Sequence, residues 1–132
     1  MLIPSALSGG TLRERLEEAA GRFGAGRVVL AVERTAEDFF LPAPRGRGVP
    51  LARAELKRRM DALRPPVFFS GELCAHYFTY MSRQTGAHFV LFDTAVSIRE
   101  KLKLSRACGV TRAVLAWPEV DDILQDIVSP PA

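Results

Sequence analysis

Cysteine is scarce in this chain of 132 residues: the two thiols, Cys74 and Cys108, are too few and too far apart for a disulfide framework and are expected as buried free thiols. No apolar run approaches the ~18–20 residues of a membrane span. The segment from Met1 to Gly10 lacks the charged start and long apolar middle of a signal peptide, so the expected location is the cytoplasm. There is no low-complexity tract and no internal repeat. Neither a C-x-x-C nor an H-x-x-x-H spacing ties Cys74, His76, His88 and Cys108 together, so no metal is expected, and no cofactor either. Nothing indicates a depressed thiol pKa, which leaves a Cys-His nucleophile without support. Glu33, Asp93, Glu100 and Lys101 do not make a metal-dependent nuclease site, because Glu100 and Lys101 are neighbours on a predicted helix rather than a Glu-x-Lys pair on a strand.

What remains is the composition of one globular domain over residues 1–132, nearly half apolar and a quarter charged. The net charge is +3, unevenly placed. Arg45, Arg47, Arg53, Lys57, Arg58, Arg59 and Arg64 oppose only Glu55 and Asp61, whereas Glu119, Asp121, Asp122 and Asp126 make the C-terminus acidic. A solvated helix face, an anionic partner bound through Arg53, Lys57, Arg58 and Arg59, and a head-to-tail contact between copies all fit this asymmetry. The basic run has no aromatic residue interleaved for base stacking, which argues against nucleic acid; a nucleic-acid-binding domain would bind with steep salt dependence.

Residues 1–10 read as irregular. Thr11 with Glu14 is a capping-box signal, and Leu12, Leu16, Ala19, Ala20 and Phe23 follow at helical spacing, predicting a helix to about Arg22. Residues 27–33 form a short apolar run after glycines, the pattern of a buried parallel strand. Residues 41–50 read as a loop and 51–63 as a helix stopped by Pro65-Pro66. The runs 67–69, 76–81 and 88–92 predict an antiparallel meander over 67–92, with Tyr77 and Tyr80, three apart on one strand, facing opposite sides. A helix capped by Asp93 or Thr94 should run through Ala107, with Val96, Ile98 or Leu102, Leu104 and Ala107 inward and Gly109 as its stop. Residues 110–117 read as a second buried strand, followed by an acidic helix around 120–128 and a tail at 129–132.

Residues 86–117 thus form a strand, Asp93, Ser97-Ile98, a helix bearing Lys101, Gly109 and a strand closing on Trp117, the only tryptophan. This unit resembles the last βαβ step of the family-18 glycoside hydrolases, in particular their spore-cortex and peptidoglycan-directed, chitinase-like branch. Leu30 to Pro42 has the length of the family segment Leu-Gly-Ile-Pro, one residue, Tyr-Gly-Tyr-Asp-Trp, one residue, Leu-Pro. Thr35, Ala36 and Glu37 replace its Tyr-Gly-Tyr, Asp38 is retained, and Phe39 replaces tryptophan. His76-Tyr77-Phe78-Thr79-Tyr80 is similar to the family's Pro-Tyr-Phe-Thr-Tyr.

The resemblance implies the seventh and eighth barrel strands plus the β insertion between them: an α/β fold with two parallel strands at 27–33 and 112–117, flanking helices and a small antiparallel addition. It also implies a sugar platform at Trp117, although a plain core position is enough to explain an indole. Tyr77, Tyr80, Asp38 and Asp93 are the further candidate ligand-binding residues. The family's D-x-x-D-x-E motif, which carries the general acid, is absent from the sequence. Without a positioned acid roughly 10²–10⁴ in rate is lost, so the chain is not expected to cleave glycosides by itself. The implied function is a noncatalytic interaction or saccharide-recognition module. Its rival is a subunit that completes an active barrel with another chain. Two buried-type strands cut from a barrel leave open apolar edges, so a second copy in a homodimer, another chain, or the chain's own insertion folded across the sheet is expected to cover them.

Overall fold

The computed structural model describes residues 1–5, 9–41 and 48–128; Arg45, Arg47, most of the expected 41–50 loop and the 129–132 tail lie outside these. The elements are β1 (Leu2–Pro4), α1 (Gly9–Phe23), β2 (Val29–Val32), β3 (Ala36–Leu41), β4 (Val49–Pro50), α2 (Arg53–Leu63), β5 (Phe68–Ser70), β6 (Ala75–Ser82), β7 (Gly86–Phe92), α3 (Ala95–Ala107), β8 (Arg112–Leu115), α4 (Trp117–Val120) and α5 (Leu124–Val128), with a 3₁₀ turn at Ala25–Arg27. They build two sheets.

The first sheet is parallel, in the order β1-β2-β8, with Leu30 opposite Ile3 on one side and Ala113 on the other. The expected parallel pairing of the two apolar strands is therefore direct. The third strand, β1, corrects the expectation of an irregular N-terminus. It is held by Met1 carbonyl accepting from the Val29 amide at 2.8 Å, and by the buried Ser5 hydroxyl accepting from the Glu33 amide at 2.7 Å. Three residues ending in Pro4 carry too short a pattern to announce themselves. One face of the sheet packs on α1, α3 and α5 through Ile3, Leu12, Leu16, Ala19, Val28, Leu30, Val32, Ile98, Val110, Val120 and Ile127.

The second sheet is antiparallel, in the order β4-β3-β7-β6-β5. The meander at 67–92 is present and larger than expected, because β3 and β4 extend it; Asp38 pairs with Val90, which pairs with Phe78. Phe78, Val90 and Phe92 form its core beneath Leu51, Leu56 and Met60 of α2 and the residues before it. The sheet does not fold across the parallel one: Leu2 and Val114 on the latter's inner face remain 61% and 51% exposed.

Local signals set most helix ends. Thr94, not Asp93, caps α3: its hydroxyl accepts from the Val96 and Ser97 amides while Ser97 Oγ accepts from the Thr94 amide, a closed capping box. Gly109, at φ +84°, follows its end. Val96, expected inward, is exposed; the buried positions of α3 are Ser97, Ile98, Lys101 and Ser105. α2 ends one residue before Arg64, which takes a left-handed conformation ahead of Pro65-Pro66. α1 starts two residues before the expected cap at Thr11. Among the described residues no helix is long and apolar enough to cross a membrane.

Candidate functional site

In an α/β unit the loops beyond the carboxyl ends of parallel strands converge, and that end is where ligands bind. Here β2 runs into Glu33-Arg34-Thr35 and β8 into Ala116-Trp117-Pro118. Between them lie two adjoining hollows of about 210 and about 450 Å³ that share Arg34, Arg53, Leu56 and Asp93 in their walls. Thr35, Ala36, Leu51, Pro118 and Glu119 complete the first, and Met60, Phe92 and Thr94 help line the second.

Trp117 is the first residue of α4, and its side chain is 60% exposed. A core position is therefore corrected: β8 ends at Leu115, two residues short of the expected boundary, and Pro118 at the start of the next helix turns the chain before the indole can enter the sheet. The next residue, Pro118, belongs to the cleft wall, and Arg53 Nη2 donates to its carbonyl at 2.8 Å.

Asp93 forms the cleft floor, but it is 2% exposed and its oxygens are occupied. Oδ1 accepts from Lys101 Nζ at 3.0 Å and Ser97 Oγ at 2.8 Å, and Oδ2 from the Thr35 amide at 3.1 Å and hydroxyl at 2.9 Å. Lys101 is itself 3% exposed. Two buried opposite charges with their remaining bonds satisfied fasten α3 to the segment leaving β2. Asp93 thus shapes the cleft by holding Thr35, with no oxygen turned to a ligand.

Asp38 and Tyr80 meet in a second buried polar cluster, under α2. Asp38 Oδ2 accepts from Arg59 Nη1 at 2.6 Å and Tyr80 Oη at 2.9 Å, while its Oδ1 bonds His88 Nδ1 at 2.9 Å. Thr85 Oγ1 bonds the other ring nitrogen of His88, and the Tyr80 and His88 rings stack at 4.5 Å. Burial, then the bond to Asp38, raises the Tyr80 phenol above its ordinary value, which keeps it a neutral donor. Tyr77 lies on the opposite face of the sheet, stacked on Phe89 at 5.1 Å.

The four basic candidates for an anionic partner, Arg53, Lys57, Arg58 and Arg59, are engaged within the chain. Arg53 donates to Asp121 and Asp122 at 2.8 Å each, Lys57 to Asp61 at 2.7 Å, Arg58 to Glu55 at 2.6 Å, and Arg59 to Asp38 and Glu55. Arg34 adds a bond of 2.5 Å to Asp122. Of the basic run's described residues, Arg53 alone reaches the acidic end, and with Arg34 it clasps the start of α2 and the segment after β2 to the turn after α4. Burial opposes the charge on Asp122, but the Arg34 bond and both guanidiniums outweigh it and hold its carboxyl below the usual range.

Glu55 shows the sign of such pairing most plainly. The hydrogen bonds from Arg58 and then Arg59 lower it from 4.5 to about 2. A carboxyl depressed in the folded state stabilises fully above its ordinary range and loses that contribution as pH falls toward about 2. Melting temperature should therefore drop between pH 4.5 and 2 more steeply in the parent chain than in Glu55→Gln; equal slopes would refute the pairing.

Cys74 is buried and Cys108 half-buried, both free, and burial raises both thiols. Neither is activated. Among the described residues no group of three or more His, Cys, Asp and Glu side chains could hold a metal ion. Sequence reasoning missed Arg34, His88 and Lys101 as members of these clusters; their partners lie far away in the chain, and no local spacing announces them.

No family model and no curated protein matches the chain. Solved structures do. The spore cortex-lytic enzyme SleL of Bacillus megaterium QM B1551 superposes with TM-score 0.69 at 19% identity, over 83% of this chain and 28% of its own. A chitinase of Chromobacterium violaceum ATCC 12472 gives TM-score 0.76 at 19% identity, over 96% and 41%. YdhD of Bacillus subtilis gives 0.72 at 17%, over 87% and 43%. The chain spans under half the length of each. At these identities the likeness is one of fold: the chain has a family-18 glycoside hydrolase-like fold that covers part of such a barrel, the spore cortex-lytic branch included.

Proposed function

We propose that this chain is a noncatalytic saccharide-recognition module that keeps the sugar-facing end of a glycosidase barrel. The observation that carries the reading is Trp117, exposed just past the carboxyl end of β8 and one residue before Pro118 of the cleft wall. An indole face suits the C–H face of a pyranose, and the guanidiniums, hydroxyl and carboxylate of Arg34, Arg53, Thr35 and Glu119 offer bonds to sugar hydroxyls. Fold neighbours named as a chitinase and a spore cortex-lytic enzyme support an N-acetylated glycan as the ligand class. The missing D-x-x-D-x-E strand supports recognition without cleavage.

Titration with chito-oligosaccharides and with peptidoglycan fragments should shift the fluorescence of the single tryptophan. Trp117→Ala should weaken binding measured calorimetrically by about 30-fold, the size expected of an aromatic anchor worth about 2 kcal/mol. Unchanged emission and no heat with either glycan would end this reading, as would glycan cleavage by the purified chain.

A further inference from the structure

We infer that the inner face of the parallel sheet is a docking surface for a second copy of this chain. Side chains alternate along each strand, so the face turned away from α1, α3 and α5 carries Leu2, Pro4, Val29, Ala31, Arg112 and Val114. These are the positions that, in a closed (β/α) barrel, fill the interior with branched apolar side chains. Here they line an open surface. Leu2 and Val114 are more than half exposed, Met1 extends the patch, and Arg112, at the amino end of β8, is placed to reach water.

The same sheet has two open edges. β1 and β8 are its outer strands, and neither has a further strand beside it among the described residues. Unpaired backbone groups next to exposed apolar side chains invite association. Because all three strands run in one direction, a twofold axis along them sets β8 of each copy against β1 of the other, parallel, at both seams simultaneously. One operation therefore pairs both edges and buries the inner faces against each other, which gives a closed assembly rather than a filament. A second copy also fits the charge pattern: the interior positions other than Arg112 are uncharged, and the ion pairs of Arg34 and Arg53 with Asp121 and Asp122 lie away from this face, so none need be broken.

The arrangement leaves Trp117 at the mouth, beyond the carboxyl end of β8, so association and sugar binding are separable. Sedimentation equilibrium of the 132-residue chain should give twice the 14.5 kDa monomer mass. Leu2→Lys and Val114→Lys place charges on side chains that are exposed in the single chain, so both should fold, as checked by circular dichroism, and both should sediment as monomers. A parent chain that stays monomeric at high micromolar concentration overturns the inference, and so do lysine variants that remain dimeric. The inference does not depend on the saccharide reading: a dimer without a tryptophan response would sink that reading and leave this one, and a sugar-binding monomer the reverse.

Discussion

Asp38→Ala is expected to destabilise the chain by about 3–5 kcal/mol in urea unfolding, because it strips the acceptor from three buried or half-buried donors simultaneously. His88, Tyr80 and Arg59 converge on this one carboxylate from β7, β6 and α2. Without it the guanidinium loses the charge that draws it under the helix, and α2 loses its polar anchor to the sheet. Asp38→Asn, which retains one acceptor oxygen, should fall between the parent and the alanine variant. Tyr80 provides an independent readout. Its phenol is raised partly by the Asp38 bond, so the tyrosinate absorbance transition should move down toward the ordinary phenol range in Asp38→Ala. A loss below about 1 kcal/mol with an unmoved transition would show that the cluster contributes no net stability.

Lys101→Met should cost a similar amount, about 3–5 kcal/mol, by leaving the buried Asp93 carboxyl without its cation. Methionine fills most of the lysine stem, so the effect reads charge rather than volume. Adding Asp93→Asn removes the orphaned charge while keeping an acceptor for Ser97, and the double variant should recover more than about 1 kcal/mol of the loss. Strict additivity of the two changes would deny the coupling. The consequence reaches the cleft, since Asp93 also holds the Thr35 amide and hydroxyl. Lys101→Met should therefore weaken glycan binding even at temperatures where it remains folded.

Much of this architecture is readable from local residues, and the exceptions share a cause. α3 and its stop follow from Thr94, Ser97 and Gly109, all within a turn of the ends they set. The parallel pairing of β2 with β8 follows from two apolar runs and the family resemblance. β3 is different: Ala36-Glu37-Asp38-Phe39-Phe40-Leu41 offers no clean alternation, because Asp38 occupies an inward position. An inward carboxylate reads as solvent-facing until Arg59 and His88, twenty-one and fifty residues on, are known to meet it. Lys101 misleads in the same way on α3. Trp117 misleads in the opposite direction, since an apolar run ending in an indole has the pattern of a core strand, and only the early end of β8 exposes the ring.

The register of β2 against β8 also bears on how the chain acquires its structure. Val29 must find Arg112 across more than half of the sequence, whereas β6 and β7 join through a tight turn whose ends are neighbours, Ser82 opposite Gly86. Loop closure favours the hairpin kinetically, and once the antiparallel sheet has condensed, the intervening polypeptide is a compact spacer instead of a long floppy tether. Amide hydrogen exchange should accordingly protect β6 and β7 earlier in refolding than β2 and β8, so that the parallel seam is the last part of the molecule to set.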